Sequence, residues 1–223
     1  MPILRWDEDG QPRSARWRSE RGAPPPSTVV VADDRITADD AYGRAGQGIA
    51  LLWRGDFQNA RQLLIALARR ADRRPRAKRA PSTPVSGADA FNRTRMVRAQ
   101  RARTLGMLLI PLDADYRIPL RRAPEVRQAC AEAWGSADGP SVVSLRELLG
   151  VIGAHEWRRR GIDLAATGGR IHPHYGVFAP TRSEYVELVA SAPLPGGAPA
   201  LAFDVGTGTG VLAAVLARRG VHR

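Results

Sequence analysis

The chain has 223 residues, 43% of them apolar and 25% charged, with Gly 22 and Pro 17. That balance is too apolar for wholesale disorder, calls for much loop, and leaves room for one large domain or two small ones. No run nears the ~18 apolar residues of a membrane span, Met1–Gly22 lacks the apolar core of a secretory signal, and the lone Cys130 allows neither an internal disulfide nor a cysteine-based zinc site, so a cytoplasmic chain off the membrane is expected.

The formal net charge is +12. Lys78 is the only lysine, so a GC-rich codon usage accounts for some of the arginine. Its distribution says more. Residues 54–122 hold 17 basic and 5 acidic residues, a balance of +12, and the remainder of the chain is neutral. That segment is a candidate footprint for phosphate or an acidic partner.

Residues 1–28 read as an irregular arm, polar and ending in Pro24-Pro25-Pro26. Val29-Val30-Val31 is a short β-branched run, and a small-residue stretch with Gly43, Gly46 and Gly48 follows Asp39-Asp40. Asp56 is placed to cap a helix over Phe57–Asp72, whose Ala60, Leu63, Leu64 and Leu67 form one apolar stripe. A basic linker is expected over 73–87 and an arginine-bearing helix over Phe91–Arg103. Leu105–Leu112 suits a short buried strand, and Pro124 the first turn of a helix reaching Trp134. Ser144-x-x-Glu147 is a capping box for a helix that stops at Gly161. Residues 29–165 are therefore expected to be a mostly helical, basic region.

From 166 onward the texture changes. Gly168-Gly169 between Ile162–Leu164 and Arg170–Phe178 predicts a β-hairpin. Thr181-x-x-Glu184 opens another helix, Pro193–Pro199 is a loop, Ala200–Val205 reads as a strand, and Val211–Arg219 as a helix closed by Gly220.

The chemistry concentrates in Asp204-Val205-Gly206-Thr207-Gly208-Thr209-Gly210, a strand, an acid, a glycine loop and a helix start. Alternating glycines let main-chain N–H groups approach a ligand at a helix N-terminus. Gly208-x-Gly210-x-x-Ala213 satisfies the dinucleotide fingerprint, which keeps an NAD-dependent enzyme as an alternative. Asp204 argues for a different ligand, because a carboxylate at the strand end repels a pyrophosphate and attracts a cation. S-adenosylmethionine offers an ammonium group, a sulfonium centre and a carboxylate for the loop amides.

Asp204–Gly210 resembles motif I of the class I S-adenosylmethionine-dependent methyltransferases. Phe178–Val189 is similar to the segment before motif I in the HemK-like glutamine methyltransferases, where P-R-P-x-T-E precedes an apolar helix. Pro180 and Glu184 hold their places in that pattern and Arg182 falls one residue late. The resemblance covers about residues 170–223 and implies the first βα unit of a Rossmann-like methyltransferase sheet within 166–223, hence an α/β chain. It also implies Asp204, Gly206, Thr207, Gly208, Thr209 and Gly210 as cofactor contacts, with Pro180, Arg182 and Glu184 near the cofactor or substrate. The acceptor implied is a nitrogen of a protein, glutamine-type, or of RNA, such as a ribosomal component. No Asn-Pro-Pro occurs, and Arg223 lies where the second strand of such a sheet would start. The expectation is a truncated chain, inactive alone, with an incomplete sheet and no catalytic residue to assign.

Other features have plainer readings. Arg73–Arg79 and Arg93–Arg103 could track RNA phosphates, making 54–122 a nucleic-acid-binding module, or be a solvated face. His172-Pro173-His174 reads as hairpin rather than a metal pair, Asp113-Ala114-Asp115 as a polar turn, and Cys130 as a small buried residue.

Overall fold

The computed structural model describes residues 1–73, 87–180, 182–194, 196 and 201–222. Most of the expected 73–87 linker, Thr181 of the second capping box and Ala200 of the expected strand lie outside those residues. The chain forms two compact units, Met1–Ala131 with Ser136–Gly150, and Glu132–Gly135 with Val151–Arg223. No helix among the described residues is long and apolar enough to cross a membrane.

The first unit opens on a hairpin, not an irregular arm. Strands β1 (Ile3–Glu8) and β2 (Gln11–Arg18) pair antiparallel, with Glu8 opposite Gln11. The turn is Asp9-Gly10, whose φ values of 55° and 73° put both central residues in the left-handed region, as a two-residue turn matched to strand twist requires. Asp7 Oδ1 accepts from Gly10 N at 3.0 Å and steadies the bend. Leu4 and Trp17 anchor the hairpin in the core.

Next come β3 (Thr28–Ala32), α1 (Ala38–Gly46), β4 (Ile49–Trp53), α2 (Phe57–Asp72), α3 (Gly87–Gly106), β5 (Leu108–Leu112), α4 (Arg127–Trp134), β6 (Ser141–Ser144) and α5 (Leu145–Arg160). The expectation of a mostly helical region is corrected. Six strands lie in one sheet ordered β1-β2-β6-β5-β4-β3. The pairs β3–β4, β4–β5 and β2–β6 are parallel, and β5–β6 is antiparallel. The chain is thus a mixed α/β protein.

Local chemistry explains most of these elements. Thr37 Oγ1 accepts from Asp40 N at 3.1 Å and starts α1. Asp56 Oδ1 accepts from Gln58 N at 2.8 Å and starts α2, which buries Phe57, Ala60, Leu63 and Leu67 as the stripe predicts. Ile49–Trp53 is a near-continuous apolar run because a central strand is covered on both faces. Leu4, Trp17, Ala50, Leu52, Leu109 and Val142 form one cluster across four neighbouring strands and the edge strand β1.

Pro111 sits inside β5, between two neighbours, where proline is normally excluded. The register resolves this. Met107 O accepts from Leu51 N of β4, so residues 107, 109 and 111 turn their main-chain groups toward β4. The β4–β5 ladder ends at Leu52–Leu109, and the donor that Pro111 lacks is not needed beyond it.

The second unit is smaller. β7 (Ile162–Leu164) and β8 (Gly169–Ile171) pair antiparallel around a single 3₁₀ turn, Ala165–Thr167, which is the predicted hairpin in shortened form. Helices α6 (Glu184–Ser191) and α7 (Val211–Arg218) pack with it around Ile162, Leu164, Val186, Val211 and Val215. α7 ends in two bonds, Val221 N to Leu216 O and Gly220 N to Ala217 O, with Val221 buried, the Schellman arrangement. Arg219 Nη1 donates to Val189 O at 2.5 Å, fastening this end of α7 to α6.

Candidate cofactor site

The segment expected as a strand, 201–205, pairs with no strand among the described residues. Leu201, Phe203 and Val205 alternate along it with their side chains out, Phe203 83% and Val205 95% exposed. Ala202 and Asp204, on the other side of the alternation, are half-buried. The period of a strand is therefore present without the sheet.

The glycine loop that follows is well defined. Thr207 Oγ1 donates to Asp204 Oδ2 at 2.9 Å, and Gly210 N donates to Thr207 O at 2.8 Å. Gly206, Gly208 and Gly210 all have positive φ, at 83°, 53° and 75°. Gly208 is doubly constrained, since a Cβ there would lie 2.6 Å from Phe178 O. That close approach is reinforced by Thr209 N donating to Phe178 O at 3.1 Å. The loop is thereby tied to the residues just before Pro180, thirty positions upstream in sequence.

Three consecutive amides, those of Gly206, Thr207 and Gly208, have no acceptor among the described residues. Gly210 precedes α7 without a side-chain cap, so the first-turn N–H groups of that helix also lack a capping acceptor. Main-chain donors of this kind attract an anion, and the Asp204 carboxylate a few residues away attracts a cation. The set suits a zwitterionic amino-acid group, the terminal part of S-adenosylmethionine. It suits a pyrophosphate less well, because Asp204 opposes one.

The remaining expected residues are placed differently. Pro180 is buried next to half-buried Ala179. Arg182 and Glu184 are exposed, Glu184 as the first residue of α6, and no hydrogen bond or ion pair links either to the loop among the described residues. His172 Nδ1 lies 2.7 Å from Arg158 O, where it donates, and His174 is exposed. Among the described residues no three His, Cys, Asp or Glu side chains group to hold a metal ion.

Part of the basic segment is paired with acids of the first unit. Arg54 pairs with Glu8, Arg70 with Asp39, Arg101 with Asp72, Arg117 with Asp113 and Arg122 with Asp56, each at 2.6–2.7 Å. Among the described residues of the segment, Arg61, Arg69, Arg73, Arg93, Arg95, Arg98 and Arg103 form no ion pair, the last four on α3.

Sequence reasoning missed a carboxylate cluster beyond the carboxyl ends of β3 and β4. Asp56 is buried; it caps α2 and receives Arg122 Nε at 2.6 Å. Asp34 accepts from Asp56 N and from Asn59 Nδ2, both at 3.0 Å, and fills the space that a Cβ on Gly55 would need. Ligands often bind at this end of parallel strands, but these carboxylates are saturated by their own neighbours. Arg122 holds the Asp56 carboxyl below the usual carboxylate range, outweighing burial. The Arg-Gly-Asp-Phe run at 54–57 is the only local signal of it.

No protein-family model matches the chain, and no curated protein matches its sequence.

Proposed function

We propose that residues 178–219 are the cofactor-binding edge of an S-adenosylmethionine-dependent methyltransferase acting on a nitrogen of a protein, glutamine-type, or of RNA. The observation that carries this reading is the proximity of one carboxylate, Asp204, to a row of amides without an acceptor among the described residues, in a three-glycine loop at a helix start. Asp204 would hold the ammonium group, and the amides of Gly206–Gly208 the carboxylate, of the amino-acid end. Thr207 orients Asp204 by donating to Oδ2, which leaves Oδ1 for the ligand. The Thr209–Phe178 bond fixes the loop against the upstream segment, so the amides are arranged before binding. When bound, the sulfonium donor supplies an electrophilic methyl carbon for in-line transfer to a nucleophilic nitrogen. In this reading 201–205 is the strand of a Rossmann-like βα unit, supported by its two-residue alternation and by the helix that follows the loop.

Titration calorimetry of the whole chain with S-adenosylhomocysteine tests the reading. The wild type binds, and Asp204→Asn, which keeps an acceptor for Thr207 but removes the charge, weakens binding about tenfold or more. Binding of NAD in place of S-adenosylhomocysteine, or equal affinity in Asp204→Asn, overturns it.

A further inference from the structure

α3 is unlike the other helices of the first unit. Residues 87–100 are exposed at every position, and the helix meets the core only near its end, at Thr104 and Leu105. A stretch about 21 Å long at 1.5 Å per residue therefore stands in solvent. Helices of this length owe most of their stability to packing, so an unpacked one is marginal without a partner. Its base is fixed: Arg101 Nε and Nη2 grip the two oxygens of Asp72 at 2.7 and 3.1 Å, joining α3 to the end of α2.

The side chains of this stretch define what fits it. Arg93, Arg95 and Arg98 form no ion pair among the described residues, although Arg95 lies over the Phe91 ring at 5.8 Å. Asp89 is its only acid. At 3.6 residues per turn, Arg93 projects on roughly the opposite side from Arg95 and Arg98. The exposed apolar residues Phe91, Met96 and Val97 are scattered between them and make no stripe. An amphipathic helix lying on a membrane, or in an apolar protein groove, needs one continuous apolar face. A flat acidic surface would be met by arginines on one side. Positive charge on opposing sides matches a groove walled by phosphates on both sides.

We propose that residues 87–100 of α3 dock in the major groove of duplex DNA. The B-form groove, about 12 Å wide, admits a helix with its side chains. The major groove of A-form RNA is too narrow for one. Arg93 faces one phosphate wall, and Arg95 and Arg98, with the Phe91 ring beside Arg95, face the other. This inference does not depend on the methyltransferase reading.

The test is fluorescence anisotropy of the full chain with a labelled B-form duplex about two helical turns long, titrated with NaCl. Binding falls with salt, and the triple substitution Arg93→Ala, Arg95→Ala, Arg98→Ala flattens the log–log slope by about 2.7, at about 0.9 per phosphate contact, with at least about a tenfold loss of affinity. The same three positions changed to Lys keep the slope. The charge-matched triple Arg5→Ala, Arg13→Ala, Arg44→Ala, all exposed and away from α3 and the glycine loop, leaves it within about one unit. Circular dichroism checks that each variant retains the fold. No salt-dependent binding by the wild type, an unchanged slope in the α3 alanine triple, an equal loss in the charge-matched triple, or equal or tighter binding to an RNA duplex of the same sequence overturns the proposal.

Discussion

At Asp56 a single carboxylate caps α2, receives Arg122 and sits almost out of solvent. Because the Arg122 guanidinium holds its pKa below 3.8, this carboxylate stabilises the fold at pH above 3.8, and that contribution disappears as pH falls through the lowered value. Arg122→Ala should therefore melt below the wild type at pH 7, and the gap should close under acid conditions below about pH 3.8. Glu147 has the opposite sign. Burial raises its carboxyl above 4.5, so its contribution is most favourable below 4.5 and is lost as pH rises through the raised value. The sequence places Glu147 in a capping box, and Ser144 Oγ does accept from Glu147 N at 3.2 Å. The Glu147 carboxylate, however, accepts from Glu20 N at 2.7 Å. Glu147→Gln keeps that acceptor without the charge. It should melt above the wild type at pH 7, with the difference shrinking below pH 4.5, in parallel scans with Arg122→Ala. Cys130 behaves as a buried apolar residue, its thiol pushed up to about 12 by burial.

Elements whose stabilising interactions lie within a few residues were legible. The cap at Asp56 and the stripe over Phe57–Asp72 define α2, and the glycine turn at Gly168 defines the β7–β8 hairpin. The first hairpin was harder to see because β1, at the sheet edge, buries only Leu4 fully and carries polar residues on both faces. The Asp9-Gly10 pair was its one local signal. β6 is only Ser141–Ser144, too short to show a period, and β4 is identifiable as a central strand only once its neighbours are known. The segment 201–205 is the reverse case, a strand pattern without a strand partner among the described residues. Unpaired amides exchange rapidly. Hydrogen-exchange mass spectrometry should find 201–205 among the least protected described segments, with the β4–β5 core among the most protected. Added S-adenosylhomocysteine should slow exchange at 206–212, whereas strong protection of 201–205 without ligand would contradict the unpaired state.

Across the whole molecule, the charge excess shows how far a linear reading reaches. The sequence locates it correctly in 54–122, because charge is a sum over residues and needs no structure. It cannot show that five of those arginines meet acids at 2.6–2.7 Å, three of them acids from outside the segment or far along it, such as Glu8, Asp39 and Asp56. Arg93, Arg95 and Arg98 of α3 stay exposed and outside those pairings, as do Arg61 and Arg69 of α2. The same division applies to the loop at Asp204. Three alternating glycines after an acid allow left-handed backbone angles at all three, since those follow from the chemistry of the residues themselves. The approach of Gly208 to Phe178, the mixed strand order β1-β2-β6-β5-β4-β3 and the direction in which Pro111 faces were decided only by the folded chain. Each depends on contacts between residues distant in sequence. Caps, turns and apolar periods are local and can be read along the chain, whereas strand pairing and charge pairing are selected by burial among many alternatives that the linear order leaves open.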